Sequence, residues 1–259
     1  MLKSLWIGAS GMTAQQEKID VIANNLANIQ TTGYKRQQAS FSETLTQALS
    51  TINQPVMPQG NKQITVGTGV KVGAMNKVFT QGSIVSTGRD LDLAIEGQGF
   101  FEVMLPDGRY AYTRDGVWRV GQDGSLVNSS GYPMSAAIYI PPDYQSITIS
   151  PQGDISVVQA DGTLLEAGNI PLYRIDNPTK LNAIGENLYI LPEGEDLPES
   201  GVAGVDGMGY LKQGFLENSN VDLLTEMTQL INAQRVFQFS SRTIQTSDEM
   251  WSMANNLRR

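Results

Sequence analysis

Apolar side chains recur at every seventh position at the two ends of this chain. Near the start, Leu5, Met12, Ile19 and Leu26 are seven apart. Leu2, Ala9, Gln16 and Ala23 interleave with them to give the three-four spacing of a coiled-coil seam. That pattern predicts one helix over the first thirty residues, ended by Gly33 as a left-handed cap, with Lys35-Arg36 after it. About 29 helical residues would make a rod of roughly 43 Å. Near the end, Leu223, Leu230, Phe237, Ile244 and Trp251 repeat at sevens, and the companions Ala233, Ser240, Ser247 and Ala254 are all small. Large beside small along one stripe lets a partner helix approach closely. Ser219-Asn220-Val221-Asp222 in front of this helix supplies an N-cap with a capping-box acid three residues on.

The middle follows a different rule. Asp107-Gly108, Asp115-Gly116 and Asp123-Gly124 fall eight residues apart, with Tyr110, Tyr112, Val117, Trp118, Val120, Leu126 and Val127 between them. Asp-Gly between short β-favouring runs predicts hairpins. Further strands are expected at 93–105, 138–140, 147–149, 155–158, 170–175 and 187–191, with turns at Gly153, Asp161-Gly162 and Gly194. Phe41 to Leu49 could extend a helix. Pro55, Pro58, Gly60, Gly67 and Gly69 then impose an extended, turn-rich course. Residues 192–209, with seven Gly and Pro residues, are expected as a flexible return path.

The expected fold class is therefore α+β: long N- and C-terminal coiled-coil helices packed together, plus a mainly antiparallel β middle domain. The expected domains are a discontinuous terminal-helix assembly domain (1–33 and 218–259), an extended connector or arm (34–75) and a β-rich domain (76–217).

Composition narrows the chemistry. With no His and no Cys in 259 residues, a Ser-His-Asp system, a thiol nucleophile, a disulfide framework and His- or thiolate-held metals are excluded. The net charge of -8 argues against nucleic acid, which needs clustered Lys and Arg. Residues 1–30 and 221–259 each balance to zero, so the whole acidic excess lies between them. No stretch of about 18 apolar residues predicts a membrane span. Lys3 followed by Ser4-Leu5-Trp6-Ile7-Gly8 makes a poor secretory signal, and general rules alone point to the cytoplasm.

No catalytic constellation survives scrutiny. Asp90 with Asp92, or Glu193, Glu195 and Asp196, could form carboxylate pairs, but acids clustered on loops are far more often a solvated surface. No Gly-Lys pair exists to make a Walker loop, and Gly67-Thr68-Gly69 and Gly97-Gln98-Gly99 complete no dinucleotide fingerprint. Tyr110, Tyr112 and Trp118 could form a sugar platform, although such residues on alternating strands are usually core. No cofactor, metal or small-molecule substrate is expected.

Three features favour assembly over an ordinary intrachain core. The two long amphipathic helices sit at the extreme ends, around a separate β body. Gly8 and Gly11 each cost about 1 kcal/mol in a helix interior, so the first helix needs a partner. Val21 to Tyr34 carries no charge, and its amides suit a face buried against another subunit. The candidate assembly interface is Leu5, Met12, Ile19, Asn24, Asn25, Leu26, Asn28, Leu223, Leu230, Phe237, Ile244 and Trp251.

The segment Asn24-Asn25-Leu26-Ala27-Asn28, continuing through Thr32-Gly33-Tyr34-Lys35, resembles the flagellar rod and hook axial proteins of bacteria. Gly97-Gln98-Gly99-Phe100-Phe101, Tyr112-Thr113-Arg114-Asp115-Gly116, Gly185-Glu186-Asn187-Leu188-Tyr189, Ser219-Asn220-Val221, Gln234-Arg235 and Asp248-Glu249-Met250 extend the resemblance almost end to end. Length and the full β set are most similar to distal-rod members, with Thr44 to Val70 the segment that separates the subtypes. The resemblance implies a helical homopolymer with the terminal helices in an inner tube and the β domain outside. It also implies export through the flagellar type III apparatus without a cleaved signal, which replaces the cytoplasmic expectation. The implied partners are other rod proteins, the hook and, given an outer membrane, ring bushing proteins. The implied role is torque transmission without catalysis.

Overall fold

The computed structural model describes residues 2–44, 46–48, 65–136, 138–192, 194 and 197–256. The chain divides into two compact units, residues 1–27, 37–77 and 222–259 in one and 28–36 and 78–221 in the other.

The first unit holds helix α1 (Leu2–Ala27), four strands and helix α2 (Leu223–Asn256). Strand β1 (Gln37–Glu43) pairs antiparallel with β4 (Val70–Lys77), from Gln37 opposite Lys77 to Glu43 opposite Val70, with a bulge between Ser40 and Phe41. Strand β2 (Thr46–Ala48) pairs with β3 (Thr65–Gly67). Residues 41–43 thus continue a strand where a helix was expected, because Val70–Val72 offers their backbone a ladder. Leu45 and Leu49, within that expected helix, lie outside the described residues.

Helix α1 ends at Ala27, earlier than the expected Gly33. Residues 28–33 form turns, and Gly33 takes its left-handed conformation (φ 67°) there. Gly8 has a packing reason that Gly11 lacks. A Cβ at Gly8 would lie 3.0 Å from Ile244 Cγ1, and one at Gly11 would lie 3.6 Å from Ser240 Oγ. The close approach of Ile244 at Gly8 offsets the glycine penalty there, whereas the contact at Gly11 is ordinary. Asp222, expected inside the first turn of α2, is instead its cap. Its carboxylate accepts from the backbone N–H of Leu224 (3.3 Å) and Thr225 (3.2 Å). The Thr225 hydroxyl also donates to it, and that bond first, with the backbone ones, holds its carboxyl below the usual range.

In the second unit the strands are β5 (Ile84–Ser86), β6 (Leu93–Glu96), β7 (Phe101–Met104), β8 (Tyr110–Thr113), β9 (Arg119–Val120), β10 (Leu126–Val127), β11 (Tyr144–Ile149), β12 (Asp154–Gln159) and β13 (Leu164–Asn169). They continue with β14 (Leu172–Arg174), β15 (Asn182–Gly185), β16 (Leu188–Ile190), β17 (Glu199–Gly201), β18 (Tyr210–Gln213) and β19 (Phe215–Glu217). The larger sheets run β15-β16-β8-β7 and β11-β12-β13, and every strand pair described is antiparallel. Asp107-Gly108, Asp123-Gly124 and Asp161-Gly162 do turn hairpins, between β7 and β8, β9 and β10, and β12 and β13.

Asp115-Gly116 does not turn a hairpin. It leads from β8 to Val117, which bridges to Asp92, and Gly116 sits where a Cβ would collide with the Leu93 carbonyl. The expected 93–105 strand is split into β6 and β7 at Gly97–Gly99, and 138–140 forms no strand but sends Ile138 and Ile140 into the core. Part of the expected return path is β17, paired with β14. The core holds Trp118, Phe101, Leu93, Ile95, Leu126, Ile155 and Leu188, with Phe101 and Trp118 edge to face at 5.4 Å. Among the described residues no helix is long and apolar enough to cross a membrane.

Candidate assembly interface

Helix α2 carries the heptad in its folded burial. Ala233 and Ser247 are buried, and Leu230, Phe237, Ser240 and Ile244 are half-buried in the same phase. Leu223 and Trp251, the outer members of the predicted stripe, are 45% and 46% exposed.

On α1 the predicted seam and the buried face differ. Leu5, Met12, Ile19 and Leu26 are half-buried and their companions Ala9, Gln16 and Ala23 are exposed. The buried positions are Ala14, Val21, Ile22 and Asn25, about a third of the way round the helix. The chain itself covers one side of α1 and leaves the predicted seam at the margin. The reason is the sheet: α1 packs on β1 and β4 as well as α2, so its covered face is set by both neighbours.

The three asparagines separate. Asn24 is exposed. Asn28 lies half-buried in the turn after α1, where its Oδ1 accepts from Thr31 Oγ1 at 3.2 Å. Asn25 is 1% exposed and works inside the chain. Its Nδ2 donates to the Gln37 carbonyl (2.8 Å) and to Glu226 Oε2 (3.3 Å), and its Oδ1 accepts the Gln37 N–H (2.9 Å). One amide thus fastens α1 to the first residue of β1 and to a buried carboxylate on α2. Glu226 escaped the sequence reading, although it lies seven residues before Ala233, in phase with the buried stripe.

The second unit has its own buried ionic knot. Lys35 Nζ contacts Glu217 Oε1 at 2.6 Å, with both side chains 1% exposed, and donates to the Thr80 carbonyl at 2.9 Å. Arg114 lies 3.5 Å from Glu217 Oε2, donates to the Gly97 carbonyl at 2.9 Å and stacks over Phe100 at 5.1 Å. The Gly82 N–H completes the carboxylate at 2.8 Å. Burial pushes the Lys35 ammonium below its ordinary pKa, and the facing Glu217 charge partly reverses that.

Asn220 ties three neighbouring passages of the chain. It accepts from the Arg36 N–H (2.7 Å) and donates to the carbonyls of Val78 (2.8 Å) and Thr80 (3.0 Å). Nothing in periodicity announces Glu217 or Asn220, because their partners come from segments more than a hundred residues away.

The residues of the catalytic and sugar readings fall in different surroundings. Trp118 is fully buried and Tyr112 is 2% exposed, so no aromatic platform faces solvent there. Asp92 is buried and takes a hydrogen bond from Thr87 Oγ1 (2.7 Å), while Asp90 is exposed. Glu193, Glu195 and Asp196 lie outside the described residues. No group of three or more metal-ligating side chains occurs among the described residues.

What remains available is the side of α2 away from α1. Leu224 (75% exposed), Ile231 (51%), Phe239 (64%) and Met253 (58%) all stand in solvent. Soluble monomers rarely keep so much apolar surface along one element.

Two terminal helices, α2 with an apolar outer side, and a β-rich body between them in the sequence fit a structural class of protein. Residues 5–35 match the family described as flagella basal body rod protein. Residues 94–157 match the flagellar hook protein FlgE/F/G D1 domain, and 212–257 the flagellar basal body rod FlgEFG protein C-terminal. Over 267 residues the chain is 44% identical to the flagellar basal-body rod protein FlgG of Borreliella burgdorferi, covering 100% of both. It is 40% identical over 272 residues to FlgG of Bacillus subtilis, again covering 100% of both. It is 32% identical over 272 residues to the flagellar hook-basal body complex protein FlhP of the same organism. The chain belongs to the FlgG family of flagellar basal-body rod proteins. It is a structural component of the flagellar basal body, as the motif resemblance implied.

Proposed function

We propose that this chain is a distal-rod subunit that self-assembles into a helical tube and transmits motor torque to the hook and filament. The terminal helices form the inner, coiled-coil layer, and the β-rich unit forms the outer one. The observation that carries this reading is the outer side of α2, where four large apolar side chains are more than half exposed. Burying each against a neighbouring copy contributes about 1.5–3 kcal/mol. Coiled-coil packing is supported by the heptad phase of Leu230, Ala233, Phe237, Ser240, Ile244 and Ser247 and by the approach of Ile244 to Gly8. Full-length correspondence to proteins named FlgG supports the rod level.

Other rod proteins, the hook, the type III export apparatus and, given an outer membrane, ring bushing proteins are the partners in this reading. Torque transmission needs many shear-resistant contacts and no catalytic step. The half-buried Leu5, Met12, Ile19 and Leu26 on α1 are the places a second helix would complete.

The test is Leu224→Asp combined with Phe239→Asp in the full chain. The double variant should keep a buried Trp118, fail to form sedimenting assemblies, and fail to restore swimming to cells lacking their own FlgG protein. Normal swimming with this variant refutes the assignment.

A further inference from the structure

Helix α2 presents two patches with the same internal spacing and opposite charge. The first is Arg235, Val236 and Phe239; the second is Glu249, Met250 and Met253. Each is a charged residue followed by apolar residues one and four positions on. Fourteen residues, two heptads, separate them, so both lie on nearly one side of the helix and about 21 Å apart along it. All six side chains are exposed, with Val236 at 44%, Phe239 at 64%, Met250 at 48% and Met253 at 58%.

Among the described residues, the charges of these patches lack the ion-pair partners that several charges of the β-rich unit have. In the β-rich unit, Lys35 pairs with Glu217, Arg109 with Asp107, Arg174 with Glu199 and Lys212 with Glu96. On α2, Arg235, Arg242, Asp248 and Glu249 form no ion pair with any described residue. Spacing explains this: separations of six to fourteen residues put these opposite charges about 9 to 21 Å apart along one helix, beyond contact, whereas i,i+4 spacing would have joined them. The pattern is unsatisfied within a chain and satisfiable between chains.

From this we infer that α2 of one copy packs parallel to α2 of the next with an axial offset of two heptads, Glu249–Met250–Met253 of one against Arg235–Val236–Phe239 of the other. This deepens the assembly reading above and rests on it. The occupant is a second copy of this chain, argued from charge complementarity and from the repeated spacing.

Register discriminates among offsets. With no offset, Arg235 faces Arg235 and Glu249 faces Glu249. With one heptad, Glu249 meets Arg242, but Arg242 then meets Arg235. With two, Glu249 meets Arg235, Met250 meets Val236, Met253 meets Phe239 and Arg242 meets the neutral Thr228. The two patches are different surfaces of the molecule, so the contact is head to tail, and its axial offset of about 21 Å keeps it from closing into a ring. Such a contact propagates as a helix.

The absence of cysteine from the chain allows a clean test. Full-length Val236→Cys and Met250→Cys proteins are mixed in equal amounts under assembling conditions and oxidised. The 236–250 heterodisulfide should exceed either homodisulfide several-fold. Adding Glu249→Arg to the Met250→Cys copy should reduce it several-fold, and adding Arg235→Glu to the Val236→Cys copy should restore it. If sedimenting assemblies form but the homodisulfides dominate, or the reversals change nothing, the two-heptad offset is overturned while the assembly reading stands. If no assembly sediments under any condition, the assembly reading falls and this inference with it.

Discussion

Replacing Glu217 by Ala should be the most damaging single change to the β-rich unit. The carboxylate is 1% exposed and is held by the Lys35 ammonium at 2.6 Å, the Gly82 N–H at 2.8 Å and the Arg114 guanidinium at 3.5 Å. Its removal leaves two buried cations facing each other. Breaking a buried ion pair from one side costs about 3–5 kcal/mol, which for a chain of this size lowers Tm by roughly 6–20 °C. The assay is thermal and urea unfolding of the full chain, followed by fluorescence of the buried Trp118 with the exposed Trp6 and Trp251 changed to Phe. Glu217→Gln keeps the shape and an acceptor for Gly82, so its loss should be smaller. Lys35→Met combined with Glu217→Gln removes charge of both signs and should recover much of the difference. A Glu217→Ala protein within about 1 kcal/mol of the parent would refute a stabilising role for the knot.

Asn25→Ala should cost about 1–3 kcal/mol, because it orphans the Gln37 backbone and a bond to buried Glu226. Hydrogen exchange at the Gln37 amide reads this directly, and unchanged protection would count against it. Gly11→Ala should stabilise α1 by up to about 1 kcal/mol, since 3.6 Å to Ser240 Oγ is ordinary contact. Gly8→Ala should gain little, because Ile244 at 3.0 Å has to give way. Far-UV circular dichroism melts of the pair separate the two outcomes. Burial, against a hydrogen bond from Thr32 Oγ1 at 2.7 Å, raises the Asp115 carboxyl above its ordinary value, and the nearby Asp92 charge adds to it. The folded state therefore holds this proton in a window where the unfolded state has lost it, so this group's contribution to stability falls as pH rises through the window. Asp115→Asn should flatten that part of the stability profile above the ordinary carboxylate range. An unchanged profile in urea titrations at several pH values would refute it.

Much of this protein was legible in its sequence because the deciding forces there are local or periodic. Sevenfold spacing marked both helices, since any apolar stripe on a helix must be covered by something. Three of the Asp-Gly pairs turned hairpins because their φ requirements are met within two residues. The motif string identified the rod and hook family, and the match to FlgG proteins carried it to a particular type.

Tertiary structure decided what depended on distant partners. It turned residues 41–43 into a strand because Val70–Val72 lay alongside, and it denied Asp115-Gly116 a hairpin because the Leu93 backbone occupied that space. It rotated the covered face of α1 away from the Leu5–Leu26 stripe by setting a sheet beside the helix. It drew Asn25 inward to Gln37 and Glu226, and it joined Lys35, Arg114 and Glu217 across more than a hundred residues. Periodicity reports which side of an element is apolar. Which neighbour covers that side, and which buried charge meets its counterpart, is fixed only when the whole chain has folded.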